Sequence, residues 1–325
     1  MSAPTLPAGP AVTITAGPAP ARPVRRRPTR RGRALIVGFL APALLVYVTF
    51  VLLPVALAAV YSFFNWNGLS ALDRFIGLDN YTRALGDPVF IAAIGHNFAI
   101  VGLSLVIQGP IAIGVALLLN RRLRGRTIFR LLIFVPYVLS EVIAGLAWKL
   151  ILQPQGPFDG VLAALGLSDF RQLWLGDQNV VFWTLFVVLC WKYLGFAIIL
   201  FLAGLQGVPD ELAEAAQIDG ATWWQTQRHI TIPLLGPTIR IWAFLSIIGS
   251  LQLFDMVWIL TGGGPVTATT TMATYMVQYV FQRSQLGFGS AVAVILFVIS
   301  LAFALLYQRV ILRRDMQGPL SGGVH

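Results

Sequence analysis

Ionisable and nucleophilic side chains are scarce in this sequence of 325 residues, and their spacing limits the chemistry they can do. The three histidines are far apart and the single cysteine, Cys190, lies in an apolar run. Neither a disulfide framework nor a cysteine- or histidine-based metal site is therefore expected. No glycine-rich loop of the kind that cradles nucleotide phosphates is present. The sequence predicts that the chain is not an enzyme and binds no metal or cofactor of its own.

Two charged residues lie inside long apolar runs, where ionisable groups are functional candidates by default. Glu141 and Lys192 are expected near the middle of two membrane-spanning helices, ~15 and ~18 Å from the outer ends at 1.5 Å per residue. Their similar depth predicts an intramembrane ion pair. Such a pair could clamp two helices together, or it could line a path for a solute.

Aromatic, amide and carboxylate side chains share the apolar runs around residues 190 and 255. A sugar ring offers hydroxyl edges and an apolar face, so a sugar site combines polar groups with aromatic rings. We expect five residues to line a solute path: Trp191, Tyr193, Gln252, Asp255 and Trp258. The alternative is that the aromatic residues belong to the belts at the membrane–water interfaces.

Composition indicates that lipid surrounds most of the chain. Hydrophobic residues make up 57% of the sequence and charged residues 11%, with a mean hydropathy of +0.77, whereas a soluble domain carries roughly 25% charged residues. The net charge of +10 does not indicate nucleic-acid binding, because the arginines cluster at residues 22–33 and 121–130, beside apolar runs. The positive-inside rule produces such clusters.

The apolar runs predict the fold class. A helix needs about 20 mostly apolar residues to cross a bilayer, and six stretches qualify: about 34–64, 91–119, 127–151, 180–205, 234–260 and 287–312. The predicted fold is all-α, a polytopic membrane bundle of six transmembrane helices within residues 34–312. Residues 1–33 are expected to be a disordered basic cytoplasmic tail, and residues 313–325 a short cytoplasmic tail.

Charge also predicts orientation, because cytoplasmic loops carry an excess of Lys and Arg. The N-terminal tail, the loop 120–127 and the tail after Tyr307 are rich in Arg, whereas loops 65–90 and 152–179 are rich in Asp. Both termini are therefore expected to be cytoplasmic. One cytoplasmic loop, about 206–233, does not follow the rule, because acidic residues outnumber its single arginine.

This acidic loop predicts a short helix–turn–helix at the cytoplasmic face. Pro209 suits the first turn of a helix, and Asp210 and Glu211 then lie near the positive end of the helix dipole. Gly220 ends that helix, and Asp219 is placed to cap the next one. A helix lying on anionic lipid would present Lys and Arg. We therefore expect the loop to dock on another protein.

The acidic loop also carries a motif. Glu214-Ala215-Ala216 is followed after three residues by Gly220, and after nine more by Ile230-Thr231-Ile232-Pro233. This pattern resembles the EAA loop of ABC transporter permeases, in which Leu stands where Ile232 stands here. The stretches FIGLDNYTRAL, FRLLIFVPYVLSEVIAGLAWKLIL, LFDMVWILTGGGP and GFGSAVAVILFV are similar to the same family in the same order. The resemblance covers about residues 35–312.

The resemblance implies a type I ABC importer permease fold of the carbohydrate-uptake type, similar to the maltose, lactose and glycerol-3-phosphate group. It implies a second permease as the other half of the path, an extracytoplasmic solute-binding protein and two ATPase subunits that use ATP and Mg²⁺. The location implied is a bacterial-type plasma membrane. The EAA loop is the family's coupling helix, which assigns ATPase coupling here to Glu211, Glu214, Ala215, Ala216, Asp219, Gly220, Ile230 and Pro233.

The identity of the solute leaves alternatives open. The resemblance favours a sugar, with glycerol 3-phosphate or another small polar solute as the alternative. A phosphate would prefer Arg in the outer path, and spans three to six offer none at mid-depth. A secondary transporter would carry inverted repeats and more intramembrane charges, and it would leave the acidic loop without an explanation.

Overall fold

The computed structural model describes residues 30–121 and 125–312. The predicted tails, apart from Arg30–Arg33 at the start of the first helix, lie outside the described residues. Within the described residues the chain is helical, with one isolated β-bridge between Phe64 and Phe75. The predicted all-α class is confirmed.

Sixteen α-helices follow one another along the described residues. In order they are α1 Arg30–Tyr47, α2 Leu53–Tyr61, α3 Asp79–Gly86, α4 Pro88–Leu103, α5 Gly109–Asn120, α6 Arg126–Val138, α7 Glu141–Ile151, α8 Pro157–Ala164, α9 Val181–Leu205, α10 Asp210–Ile218, α11 Trp223–Thr226, α12 Ile232–Leu234, α13 Gly236–Leu251, α14 Asp255–Leu260, α15 Met272–Val277 and α16 Leu286–Tyr307. Single π-helical turns join α1 to α2, α4 to α5 and α11 to α12.

Contacts divide the chain after Pro54 into two units. In the first unit, every side chain described from Val37 to Pro54 is exposed, and Phe39 and Phe50 are 84% and 73% exposed. A helix that is apolar on all sides is typical of a membrane span.

Length and hydropathy identify four continuous candidate spans, Val37–Tyr61, Pro88–Asn120, Val181–Leu205 and Leu286–Ile311. Two bent helix pairs also qualify, Thr127–Val138 with Glu141–Ile151 and Trp223–Leu234 with Gly236–Leu251. The described residues therefore contain four to six candidate spans, in agreement with a polytopic bundle.

The third predicted span, 127–151, is not one straight helix. The chain bends by 97° between α6 and α7. Pro136 lacks a backbone N–H and weakens the end of α6, Leu139 is extended, and the Ser140 side chain accepts from the Ile143 N–H at 3.2 Å to begin α7. The depth predicted for Glu141 assumed one continuous helix, and that assumption was wrong, because Glu141 is the first residue after the bend.

The fifth predicted span, 234–260, is also interrupted. Helix α13 ends at Leu251 and α14 begins at Asp255. The buried side chain of Asn97 donates to the carbonyl oxygens of Ser250 at 2.7 Å and Leu251 at 3.2 Å. The last carbonyls of a helix have no intrahelical partner, so these donors let α13 end inside the apolar interior.

Helix α9 packs on α5 and α6, and about half of its residues are buried. A Cβ atom at Gly195 would lie 2.2 Å from the carbonyl oxygen of Ile133 on α6. Only glycine permits that approach, because the obstacle is backbone. Gly195 therefore fixes the distance between α9 and α6.

At the start of α4, Asp87 connects two helices. Its carboxylate accepts from the Val89 N–H at 2.8 Å and from the hydroxyl of buried Tyr275 at 2.5 Å. Burial raises the pKa of Asp87, but the hydrogen bonds from Tyr275 and Val89 outweigh burial and hold that pKa below its usual value. The contact joins the start of α4 to α15.

Candidate functional site

The acidic loop forms the expected helix–turn–helix. Asp210 and Glu211 occupy the first turn of α10, where the helix dipole favours negative charge. The sequence predicted Pro209 in the first turn. In the structure Pro209 is instead the N-cap residue, with φ −62° and ψ 129°. An extended N-cap is common, and proline is compatible with that φ.

Gly220 ends α10, as predicted. Its φ is +82°, a left-handed conformation that glycine adopts without the penalty of a Cβ atom. The Gly220 N–H donates to Gln217 O at 3.1 Å and the Ala221 N–H to Ala216 O at 2.9 Å. These bonds satisfy carbonyls at the end of the helix.

The second helix is capped by a different residue from the one predicted. Asp219 is the C-cap of α10 and does not cap α11. Thr222 and Gln225 form a capping box instead: the Thr222 hydroxyl accepts from the Gln225 N–H, and the Gln225 side chain accepts from the Thr222 N–H. This reciprocal pair is a strong local start signal. The α11–α12 segment and α13 then meet at an angle of 65°.

The exposed side chains of this helix–turn–helix form a surface open to a partner. Ile218 is 87% exposed, Trp224 70% and Leu212 43%. The predicted coupling residues lie on or beside this surface: Glu211, Glu214, Ala215, Asp219, Gly220 and Pro233 are exposed, and Ala216 and Ile230 are half-buried. Exposed apolar side chains with carboxylates around them are typical of a surface that binds a partner protein.

The opposite side of the helix–turn–helix is anchored to the bundle. Trp223 packs against the apolar cluster that contains residues of α5, α9 and α13, and the Arg121 guanidinium carbon lies 4.1 Å from the centre of its ring. Leu235 is buried. A displacement of α10 can therefore reach the end of α5 as well as the start of α13.

A cavity of about 290 Å³ lies between α4, α6, α9 and α13. One part of its wall is aromatic, with Tyr137 stacked on Phe196 at 5.0 Å between ring centres. Hydroxyl and amide groups supply the polar part of the wall: Ser104, Gln108, Ser246 and Ser250. No Asp, Glu, Lys, Arg or His lines the cavity among the residues that the structure describes.

Of the five residues predicted for the solute path, Tyr193 lines this cavity. Trp191 packs edge-on against Trp148, with ring centres 5.4 Å apart, and Trp258 stacks on Phe254 at 5.5 Å. Gln252 and Asp255 are exposed at the break between α13 and α14.

Sequence reasoning missed most of the cavity wall. On α13 and just after it, the lining residues Ser246, Gly249, Ser250 and Leu253 are spaced three, four and seven residues from the first. This helical spacing of small and polar residues marks one face of α13. The signal was present in the sequence, although it resembles an ordinary helix-packing face.

The structure brings Glu141 and Lys192 together. Lys192 Nζ lies 3.7 Å from Glu141 Oε1, and the Lys192 side chain is 2% exposed. Lys192 also donates to three backbone carbonyls, those of Pro136, Tyr137 and Leu139. The Tyr193 hydroxyl donates to Glu141 Oε1 at 2.9 Å.

Within the described residues, no group of three or more His, Cys, Asp or Glu side chains is arranged to hold a metal ion. The carboxylates of the acidic loop are exposed, whereas the buried Lys192 is committed to internal bonds. The geometry thus offers an exposed docking surface and an uncharged cavity.

Comparisons with known proteins agree with this arrangement. The profile of the family described as "Binding-protein-dependent transport system inner membrane component" matches residues 108–316. The multiple sugar-binding transport system permease protein MsmF of Streptococcus mutans is 37% identical over 263 residues, 80% of this chain and 89% of that protein. The diacetylchitobiose uptake system permease protein NgcF of Streptomyces coelicolor is 32% identical over 312 residues, 91% and 88% of the two chains.

The trehalose/maltose transport system permease protein MalF of Thermococcus litoralis is 34% identical over 272 residues, 83% of this chain and 90% of that protein. Among solved structures, a chain of a bacterial alginate ABC transporter in complex with alginate pentasaccharide-bound periplasmic protein matches with a TM-score of 0.77. That match covers 88% of this chain and 96% of the other at 24% identity. The likeness shows a shared fold.

Proposed function

Because this chain belongs to the family of binding-protein-dependent transport system inner membrane components, we propose that it forms half of the membrane path of an ATP-driven sugar importer. It is a transport subunit and not an enzyme, since the family supplies the permease of ABC importers and ATP is used by separate subunits. The proposed assembly adds a second permease, two ATPase subunits that bind ATP and Mg²⁺, and an extracytoplasmic binding protein.

The cavity carries the proposal that the solute is a sugar. An apolar ring face can stack on the Tyr137–Phe196 pair, while hydroxyl edges meet the Ser104, Gln108 and Ser246 side chains. Pockets for small ligands are mostly apolar with a few placed polar groups. Relatives named for multiple sugars, diacetylchitobiose and trehalose or maltose point to the same class of solute.

Glycerol 3-phosphate is the alternative solute. A phosphate is held by Arg or Lys side chains or by helix N-termini. The cavity wall offers no basic side chain among the described residues, and the ammonium of the nearby Lys192 is already surrounded by three carbonyls and Glu141. These features favour an uncharged solute.

We assign coupling to the exposed helix–turn–helix. In this proposal α10 seats on an ATPase subunit through Glu211, Glu214, Ala215, Ala216, Asp219 and Gly220, and Ile230 and Pro233 transmit its displacement towards α13. The left-handed turn at Gly220 and the 65° angle before α13 fix the direction in which a displacement of α10 moves α13. Trp223 and Arg121 carry part of the displacement to α5.

The orientation follows from this assignment. A helix–turn–helix that meets a cytoplasmic ATPase requires α9 to end and α13 to begin at the inner membrane face. With an even number of spans, both termini then lie in the cytoplasm, as the positive-inside rule also indicates.

The proposed solute class is tested by uptake in a strain that lacks the chain and is complemented with it. Radiolabelled maltose, trehalose, raffinose and glucose form the neutral panel, and labelled glycerol 3-phosphate is the anionic comparison. We expect ATP-dependent uptake of at least one neutral sugar and none of glycerol 3-phosphate. Uptake of glycerol 3-phosphate alone would overturn the proposed solute class.

A further inference from the structure

A hydrogen-bonded network of Lys192, Glu141 and Tyr193 reaches the wall of the cavity. Lys192 is fully buried, and a buried charge is costly unless it is paired and hydrogen-bonded. Its ammonium has three donors, and three carbonyls accept from it, those of Pro136, Tyr137 and Leu139. These carbonyls lie at the bend after α6, where intrahelical partners are lost.

Lys192 therefore holds the shape of the bend. A cation at the C-terminal end of α6 is favoured by the helix dipole. The contact also fixes Tyr137, whose ring lies 5.9 Å from Lys192 Nζ and forms part of the cavity wall. The same ammonium lies 3.7 Å from Glu141 Oε1, so it places the carboxylate beside Tyr193.

Glu141 in turn fixes the direction of the Tyr193 hydroxyl. The phenol O–H donates a hydrogen bond to Glu141 Oε1 at 2.9 Å. A phenol has one O–H proton, so the Tyr193 proton is committed to Glu141 by this bond. What Tyr193 can offer to the cavity is then a lone pair of its oxygen. Among the described residues, Glu141 Oε2 is buried and has no hydrogen-bond partner, so the carboxylate acts on the cavity wall through Oε1 and the Tyr193 hydroxyl.

We propose that Lys192 and Glu141 are positioning residues that hold Tyr193 as a hydrogen-bond acceptor for a hydroxyl group of the transported solute. This inference rests on the proposed function and deepens it. An acceptor wall backed by a carboxylate attracts the O–H donors of a neutral sugar. It disfavours a phosphate, whose oxygens are negatively charged acceptors.

The orientation of Tyr193 can be measured without knowing the solute. 3-Fluorotyrosine is placed at position 193 in the assembled transporter, reconstituted in lipid nanodiscs, and its ¹⁹F resonance is recorded. We expect the resonance to shift in Glu141→Leu, which removes the acceptor, and in Lys192→Met, which removes the partner of Glu141. 3-Fluorotyrosine at Tyr61, which lies outside the cavity wall, serves as the control and should not shift.

A single substitution can leave an uncompensated buried charge and prevent assembly. The double variant Glu141→Leu with Lys192→Met removes both charges and provides the second test of the same shift. If the Tyr193 resonance is the same in wild type, in the assembled single variants and in the double variant, the positioning role is overturned.

Transport kinetics test the functional consequence. For a neutral sugar of the panel that the wild type takes up, Tyr193→Phe should raise KM about twofold to tenfold, the effect of one hydrogen bond, with the maximal rate unchanged. Tyr61→Phe is the matched control and should leave KM unchanged. A purely structural clamp would lower the amount of assembled protein without raising the KM of what remains.

The outcomes separate the two proposals. An unmoved ¹⁹F resonance, or sugar uptake with an unchanged KM in Tyr193→Phe, contradicts the positioning role while the sugar importer stands. Wild-type uptake of glycerol 3-phosphate in place of every sugar contradicts the solute class and the acceptor wall together.

Discussion

Replacing Gly195 by Ala should weaken the contact between α9 and α6. The added Cβ would lie 2.2 Å from the carbonyl oxygen of Ile133 and 3.1 Å from Phe134 Cα, whereas non-bonded carbon contacts are comfortable at about 3.5–4.0 Å. Because the obstacle is backbone, the two helices must separate by about 1 Å, and overpacking of this kind costs about 1–3 kcal/mol. The displaced segment includes the residues just before Pro136, so the carbonyls that surround Lys192 should shift with it.

The assay is the thermal unfolding of the detergent-solubilised complex, in which Tm falls by about 2–4 °C per kcal/mol lost. Gly114→Ala is the matched control, since it lies inside α5 and a Cβ there meets nothing within 4 Å. Alanine in a helix interior should leave that variant as stable as wild type or slightly more stable. Equal Tm values for Gly195→Ala and Gly114→Ala would refute the close α9–α6 contact.

Three further substitutions test other parts of the molecule. Gly220→Glu should abolish uptake and ATPase association in pull-down while the protein stays in the membrane, because the φ of +82° at Gly220 strains any residue with a side chain. The control Gly86→Glu adds the same charge at an open glycine and should keep both uptake and ATPase association. Asp87 has a depressed pKa, so its contribution to stability is present above about pH 4 and is lost as pH falls further. Tyr275→Phe should therefore reduce the fall in Tm between about pH 6 and pH 3, and an unchanged acid profile would count against the contact. Arg121→Ala should lower uptake without releasing the ATPase, since its stacking on Trp223 anchors the bundle side of the helix–turn–helix; full activity would exclude that route.

The parts of the fold that depend on local signals were predictable. Long apolar runs predict membrane helices whatever their neighbours are. Gly220 and the acidic first turn of α10 locate one helix and its end by the preferences of single residues. The cap of α11 was assigned to the wrong residue, because Thr222 and Gln225 form the capping box and Asp219 ends α10.

The breaks in the third and fifth predicted spans depend on residues that are distant in sequence. Lys192 donates to the carbonyls at the end of α6 from more than 50 positions away, and Asn97 caps α13 from more than 150 positions away. Apolar periodicity carries no information about such partners. The cavity was missed for the same reason, since its wall forms only when four helices meet.

The surroundings of Lys192 also change which experiment can test the ion pair. Exchanging Glu141 and Lys192 would preserve a simple pair of charges. Here the exchange would place a carboxylate among three carbonyl oxygens, which repel it. Failure of the exchanged variant would therefore not argue against the pair, and the neutral double variant is the better test.

The most direct test of coupling is a crosslink from α10 to the ATPase. Cys190 is the only cysteine of the chain, so Ala215→Cys in a Cys190→Ser background puts a single thiol on the exposed side of α10. Membranes that contain the assembled transporter are treated with a maleimide–benzophenone reagent, whose maleimide bonds to the introduced thiol and whose benzophenone inserts into a C–H bond of the neighbouring protein on irradiation. A covalent adduct of this chain with the ATPase subunit is the predicted result. No adduct, together with labelling of the introduced thiol from outside intact cells by a membrane-impermeant maleimide, would contradict it.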